Sequence, residues 1–158
     1  FIAHHSVIFQ PEKRLMWVST SPWQCGKYVT YDLNKIFKDT IDWQHEIYSS
    51  DLTIPEDKFI DTPEFQHLLT YKKLTPLLLK KIRKKEQIEE SVLKTYQASN
   101  PSLYYVYEVI GDYYEAMQQS KQAIAYWQQA LKKSIPKLQE KERIQQKIQK
   151  QSKDGKES

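Results

Sequence analysis

Two short apolar runs, Val7-Ile8-Phe9 and Leu15-Met16-Trp17-Val18, lie near the start of the chain, rich in β-branched and aromatic residues. Between them sits Gln10-Pro11-Glu12-Lys13-Arg14, whose proline pre-sets a turn dihedral. This pattern predicts a β-hairpin. A third run, Tyr28-Val29-Thr30-Tyr31, follows a loop bounded by Pro22 and Gly26, and the pattern turns helical over Asp32 to Phe37. Both faces of such a hairpin carry large apolar groups, and two or three strands alone are marginal in water. The expected setting is a larger sheet packed on both sides. The chain opens at Phe1 without a methionine. Residues 1–37 are accordingly expected to be the last strands of a larger domain whose earlier part is not in this chain.

Residues 38–61 show no strong period and read as a linker. Ile41 to Tyr48 would form a helical turn or an irregular crossing, and Ser49-Ser50-Asp51 and Ile54 to Asp57 read as loop. From residue 62 to about 150 the chain reads as helical. Thr62-Pro63, Thr75-Pro76 and Asn100-Pro101 each set an N-cap type before a proline, which predicts three helix starts. The helices would run from 63 to about 73, 76 to about 97, and 101 to about 118, with a break across Arg83 to Gln87 where the apolar stripe loses phase. Ser120 is expected to cap a further helix. Lys137 to Lys150 reads as a polar helix with Leu138, Ile144 and Ile148 on a thin stripe, and residues 151–158 are expected to be disordered.

The region from about 104 to 137 carries Tyr107, Ile110-Gly111, Tyr114, Ala123, Trp127, Ala130 and, one position late, Pro136. In this order and spacing the residues resemble one tetratricopeptide repeat. Gly111 and Ala123 are small enough for two antiparallel helices to approach closely, and Tyr114 and Trp127 fill the space beside them. Shifting back one repeat puts Leu77 and Glu89 at the small positions, so residues 63–100 are at most a degenerate copy. A single repeat cannot bury its own faces.

The strand region has a resemblance of its own. HSVIF, PEKRLMWVS and the run Pro22-Trp23-Gln24-x-Gly26-x-Tyr28-Val29-x-Tyr31-Asp32-Leu33-Asn34 are similar to the C-terminal strands of the acyl-coenzyme A:6-aminopenicillanic acid acyltransferase-like family of N-terminal-nucleophile hydrolases. The resemblance implies an αββα sandwich, autoproteolysis that frees an N-terminal cysteine, and hydrolysis or acyl transfer at a linear amide. The family's nucleophile and oxyanion groups precede the segment matched here, so no catalytic residue is carried over. The implied partner is the N-terminal portion of the same protein or a second processed chain, with a homo-oligomer through the helical tail as a further expectation. The fold class expected is therefore α+β: the terminal strands of a sandwich followed by a tetratricopeptide-like helical region. The other reading is a tetratricopeptide-like interaction module without catalytic activity, its concave face lined by Tyr105 and Tyr113.

Composition bounds these readings. At 158 residues with 39% hydrophobic and 28% charged side chains, the chain is globular in character, and a domain of this length hides about 68–70% of its unfolded surface. Three glycines are too few for an all-β protein, and aromatic residues at 13%, with eleven tyrosines, must do much of the packing. The net charge of +4 is spread over lysine pairs such as Lys72-Lys73, Lys80-Lys81 and Lys132-Lys133 with acidic residues nearby. They read as solvated helix faces, and no nucleic-acid partner is expected. No run of apolar residues is long enough to span a membrane.

Candidate chemistry is sparse. Cys25 is the lone cysteine, which excludes an internal disulfide, and it reads as a small apolar filler. His4 and His5 are adjacent at a strand start and point to opposite faces; His45 and His67 are isolated. No metal or cofactor is expected. Ser19-Thr20-Ser21 lacks a nucleophile motif. Its loop would sit at a strand end, where His4, Ser21 and Trp23 form a candidate pocket wall.

Overall fold

The structure is a computed structural model describing residues 5–38 and 48–154. It is mixed α+β, a three-stranded antiparallel sheet and six helices among the described residues, divided into two compact units, 1–65 and 66–158. The sheet orders its strands as β1 (Val7–Gln10), β2 (Leu15–Ser19) and β3 (Tyr28–Asp32), all neighbours antiparallel. A 3-10 turn at Pro11–Lys13 closes the first hairpin, with Arg14 in the left-handed region at φ 54°. The short helix α1 (Leu33–Ile36) follows, capped by the Asp32 carboxylate, which accepts from the Asn34 N–H at 3.0 Å.

The register sorts the side chains. Val7 faces Val18, which faces Val29, and Phe9 faces Met16, which faces Tyr31. Because side chains alternate along a strand, these six line one face of the sheet with no polar group among them except the Tyr31 hydroxyl. The opposite face carries Ile8, Trp17 and Thr30. There the Leu52 carbonyl accepts from Trp17 Nε1 at 2.9 Å and from Thr30 Oγ1 at 2.7 Å. Residues 48–54 also pair with the outer edge of β3, through bridges Tyr31 to Tyr48 and Tyr28 to Ile54. The linker expected over 38–61 is thus, in its described part, a component of the sheet unit. Residues 39–47, with the crossing expected over Ile41 to Tyr48, lie outside the described residues save for Tyr48.

The helical unit consists of α2 (Pro63–Lys84), whose first turn belongs to the sheet unit, α3 (Glu90–Ser99), α4 (Tyr104–Ala116), α5 (Ser120–Leu131) and α6 (Leu138–Asp154). Of the three Xaa-Pro starts, Thr62-Pro63 opens a helix, with Thr62 Oγ1 accepting from the Phe65 N–H at 3.3 Å. Thr75-Pro76 does not. It lies inside α2, where the Thr75 hydroxyl bonds back to the Tyr71 carbonyl at 2.7 Å and Pro76 is solvent-facing. Asn100-Pro101 forms a turn instead, and α4 begins at Tyr104. The expected break is present: α2 ends at Lys84, Lys85 adopts φ 54°, and α3 starts at Glu90.

One apolar core holds this unit, built on Leu78, Leu93, Tyr96, Val106, Ile110, Trp127 and Ile144. Gly111 and Trp127 meet where α4 packs on α5. A Cβ on Gly111 would stand 2.5 Å from the Trp127 ring, so only glycine fits there. Tyr96 stacks on Tyr71 with ring centroids 5.8 Å apart. The expected stripe of α6 is corrected at one end: Ile144 is buried, but Leu138 is exposed. Helix α6 also runs on to Asp154, so the disorder expected from 151 is replaced there by helix; residues 155–158 lie outside the described residues.

Candidate functional site

The strand-end loop between β2 and β3 is the expected pocket wall. Its hydroxyls are committed to structure: Ser19 Oγ accepts from the Ser6 N–H at 2.8 Å, and Thr20 Oγ1 donates to the Lys27 carbonyl at 3.0 Å. A Cβ on Gly26 would collide with the Thr20 and Ser21 carbonyl oxygens, which explains glycine at the point where the loop closes. Ser21 is exposed, and Trp23 packs edge-on against Phe65 at 6.1 Å, with Phe59 on Phe65 at 5.6 Å. Ser21 and Trp23 are therefore near in sequence, but Trp23 is used in packing. His4 lies outside the described residues, while His5 and His67 are exposed. Cys25 is half-buried with a free thiol. Among the described residues no three His, Cys, Asp or Glu side chains come together as a metal site.

The repeat-packing residues do converge. Tyr107, Gly111, Ala123, Trp127 and Ala130 are all buried at the junction of α4 and α5, and Tyr114 is half-buried, stacked on Tyr126 at 5.3 Å. Two details differ from expectation. Ser120 is not a cap; it is the first helical residue, and its hydroxyl donates to Gln151 Oε1 at 2.8 Å. Tyr113 does not line an open face. It is buried, its hydroxyl accepting from the Ile88 N–H at 3.2 Å and donating to the Ile88 carbonyl at 3.3 Å, which ties α4 to the break between α2 and α3.

The densest polar chemistry is one that the sequence reading misses. Glu108 and Asp112 stand four apart on α4, and Arg143 and Lys147 four apart on α6, so each pair projects from one side of its helix. Arg143 holds Glu108 bidentately, Nε to Oε1 at 3.0 Å and Nη2 to Oε2 at 2.8 Å. Lys147 Nζ bridges Glu108 Oε1 at 2.8 Å and both oxygens of Asp112 at 2.7 and 2.9 Å. Trp127 Nε1 donates to Asp112 Oδ1 at 2.9 Å, and Lys147 lies 5.8 Å from the indole centroid. Tyr104 donates to Glu140 at 2.6 Å and Gln151 to Glu115 at 3.2 Å, extending the seam along both helices.

Burial and pairing compete at these charges. Burial pushes the Glu108 carboxyl up, but its bonds to Arg143 and Lys147 outweigh that and hold it below the usual carboxylate range. At Asp112 burial wins over Lys147 and Trp127, and the carboxyl lies above its usual range. Burial lowers Lys147, yet Asp112 and Glu108 more than compensate and raise it. A cavity of about 480 Å³ opens beside Asp112, Glu115 and Lys147. All four central charges are spent on one another, so the arrangement joins helices; it does not present a free acid, base or nucleophile. The sequence signal that points to it is the pair of matched i,i+4 charges on two helices.

Comparison with known protein families, with curated proteins and with solved structures returned no match. Among the described residues no helix is long and apolar enough to cross a membrane.

Proposed function

We propose that the sheet unit is a terminal portion of an N-terminal-nucleophile amide hydrolase or acyltransferase, and that the helical unit is its tetratricopeptide-like appendage. The observation that carries this reading is the sheet's uncovered apolar surface. Val7, Ile8 and Phe9 on β1 are 45%, 43% and 61% exposed, on both faces of an edge strand whose outer backbone groups have no neighbouring strand among the described residues. An apolar edge of this kind is an aggregation hazard unless covered or paired. Completing an αββα sandwich would cover it. In that setting a cysteine on another segment attacks the amide carbonyl, the C–N bond breaks, and the acyl group passes from the thiol to water or an amine. This chain contributes sheet strands and the wall formed by its strand-end loop, and no catalytic group.

Native mass of the protein as isolated, followed by denatured mass, tests the proposal. A co-purifying polypeptide beginning with cysteine is the expected result. A monomeric 158-residue chain that melts in one cooperative step with nothing bound would sink it.

The second reading, an interaction module, is favoured by one separate observation: the helical unit has a complete core of its own.

A further inference from the structure

One exposed face of α2 carries a stripe of leucines and lysines beside an apolar cavity. Leu69, Lys73, Leu77, Lys80 and Lys84 recur at three- and four-residue spacing and so form one stripe. All five are exposed, Leu77 at 49%. Beside the stripe lies an apolar cavity of about 290 Å³, walled by Leu74, Leu77 and Leu78 of α2 and by Ile88 and Val92 across the break, with Lys81 and Glu89 at its rim. Favourable interaction with the helix dipole accounts for cations in the last turn. It does not account for Lys73, three turns earlier, or for a leucine held half in water among lysines.

We propose that this stripe and cavity form a docking site for an acidic polypeptide segment carrying a bulky apolar side chain. The cavity takes the apolar anchor, and the lysines take the flanking carboxylates. Charge complementarity selects the partner. Lys73, Lys80 and Lys84 lie on the stripe and Lys81 at the rim of the cavity, against two acids, Glu86 beyond the end of α2 and Glu89 at the rim. Glu86 sits 3.6 Å from Lys84 in an exposed pair, and Glu89 accepts from Ser91 at 3.3 Å. Among the described residues Lys73 and Lys80 have no ion pair, so their charge is available. Lys81 meets only the Gln87 carbonyl, at 3.4 Å. An apolar concavity beside a stripe rich in one sign of charge is a pattern in which a buried anchor supplies affinity and the neighbouring charges supply orientation and on-rate. The site extends the reading of the helical unit as an interaction surface and does not depend on the hydrolase assignment.

Fluorescence anisotropy of the full chain with a fluorescein-labelled acidic peptide, DDELFDDLLEDD, tests the proposal against the apolar-free DDESSDDSSEDD. The first should bind and the second should bind at least about tenfold more weakly, a difference of roughly 1.4 kcal/mol. Leu77→Ser should cost the first peptide about the same factor while leaving the second unchanged. Because Leu77 is half-exposed, circular dichroism should show this variant folded. Lys80→Glu should weaken both peptides, whereas Lys132→Glu, the same charge change elsewhere, should weaken neither to that extent. Equal binding of the two peptides, indifference to Leu77→Ser, or binding only to phosphatidylserine vesicles would each overturn the docking site. Since none of these readouts involves a cysteine partner chain, their failure leaves the hydrolase reading standing, and the converse also holds.

Discussion

The two units of this chain bury opposite things. In the sheet unit the buried side chains are mainly hydroxyls, Ser19, Thr30 and Ser49, and the apolar core residues fully covered there reduce, among the described residues, to Phe65. Its strands meanwhile show Val7, Ile8 and Phe9 to solvent. The helical unit buries a continuous apolar core and, inside it, the nearly inaccessible carboxylate of Glu108. A segment that hides hydroxyls and exposes valine, isoleucine and phenylalanine has little fully buried apolar surface among its described residues. A segment with an intact core can tolerate a charge, provided partners meet it. The contrast teaches that burial is local: the same chain carries a unit with a continuous apolar core and one whose edge strand leaves apolar side chains exposed.

Substitutions should sharpen that contrast. Trp127→Ala removes the largest fully buried side chain and leaves Asp112 short of a donor, and should cost about 4 kcal/mol in urea unfolding followed by circular dichroism. A loss of under about 1 kcal/mol would mean that the α4–α5 junction is not what stabilises the helical unit.

Glu108→Gln leaves Arg143 and Lys147 with a weaker acceptor in a buried place and should cost about 3 kcal/mol at neutral pH. Its signature is in the pH dependence. The folded-state pKa of Glu108 is depressed, so its stabilisation is present above the ordinary carboxylate range and is lost as pH falls through the lower, folded value. Asp112 is raised and acts in the opposite direction, losing stability as pH rises through its titration. Removing Glu108 should therefore flatten the acid limb of the stability profile. An acid limb as steep as in the parent would locate acid sensitivity elsewhere. Lys147, raised above its usual value, should add a further loss only at strongly alkaline pH.

Thr62→Ala deletes the cap of α2 and should cost about 1 kcal/mol, read by thermal melting. Smallest of all, Phe9→Ser should change the stability of the monomeric chain by under about 0.5 kcal/mol, because the ring is mostly solvated. The same substitution should reduce self-association, measured by sedimentation velocity. A large loss of stability from it would break the contrast, for it would mean that the sheet face is already covered.

Strand positions were legible because β-branched and aromatic residues cluster in three runs bounded by turn residues, and the passage from strand to helix at Asp32 follows from a carboxylate able to cap the helix it precedes. The close packing of α4 on α5 was legible in part, from the small Gly111 and Ala123 with the large Trp127 nearby, but not the direct contact of Gly111 with the Trp127 ring. Four features were not. Threonine before Pro76 looks like a helix start, but a solvent-facing proline is tolerated within α2 while Thr75 satisfies a carbonyl behind it. Asn100-Pro101 resembles another start, but it turns the chain, and α4 opens three residues beyond. The i,i+4 charge pairs of α4 and α6 are visible in the sequence, but the ion seam also needs the register between the two helices, which no local pattern specifies. Ser21 and Trp23 shared a loop in sequence, and the packing of Trp23 on Phe65 is a matter of tertiary contact alone.

Trp127 also makes the molecule its own optical gauge. The indole is fully enclosed, with a carboxylate on its N–H and an ammonium near its ring, whereas Trp17 and Trp23 are partly exposed. A dry, rigid indole emits at shorter wavelength than a wetted one. Departure of α6 would remove Lys147 and admit water, and the emission of Trp127 would redden. The opening of the seam can thus be followed in real time without a dye, by light the protein itself returns.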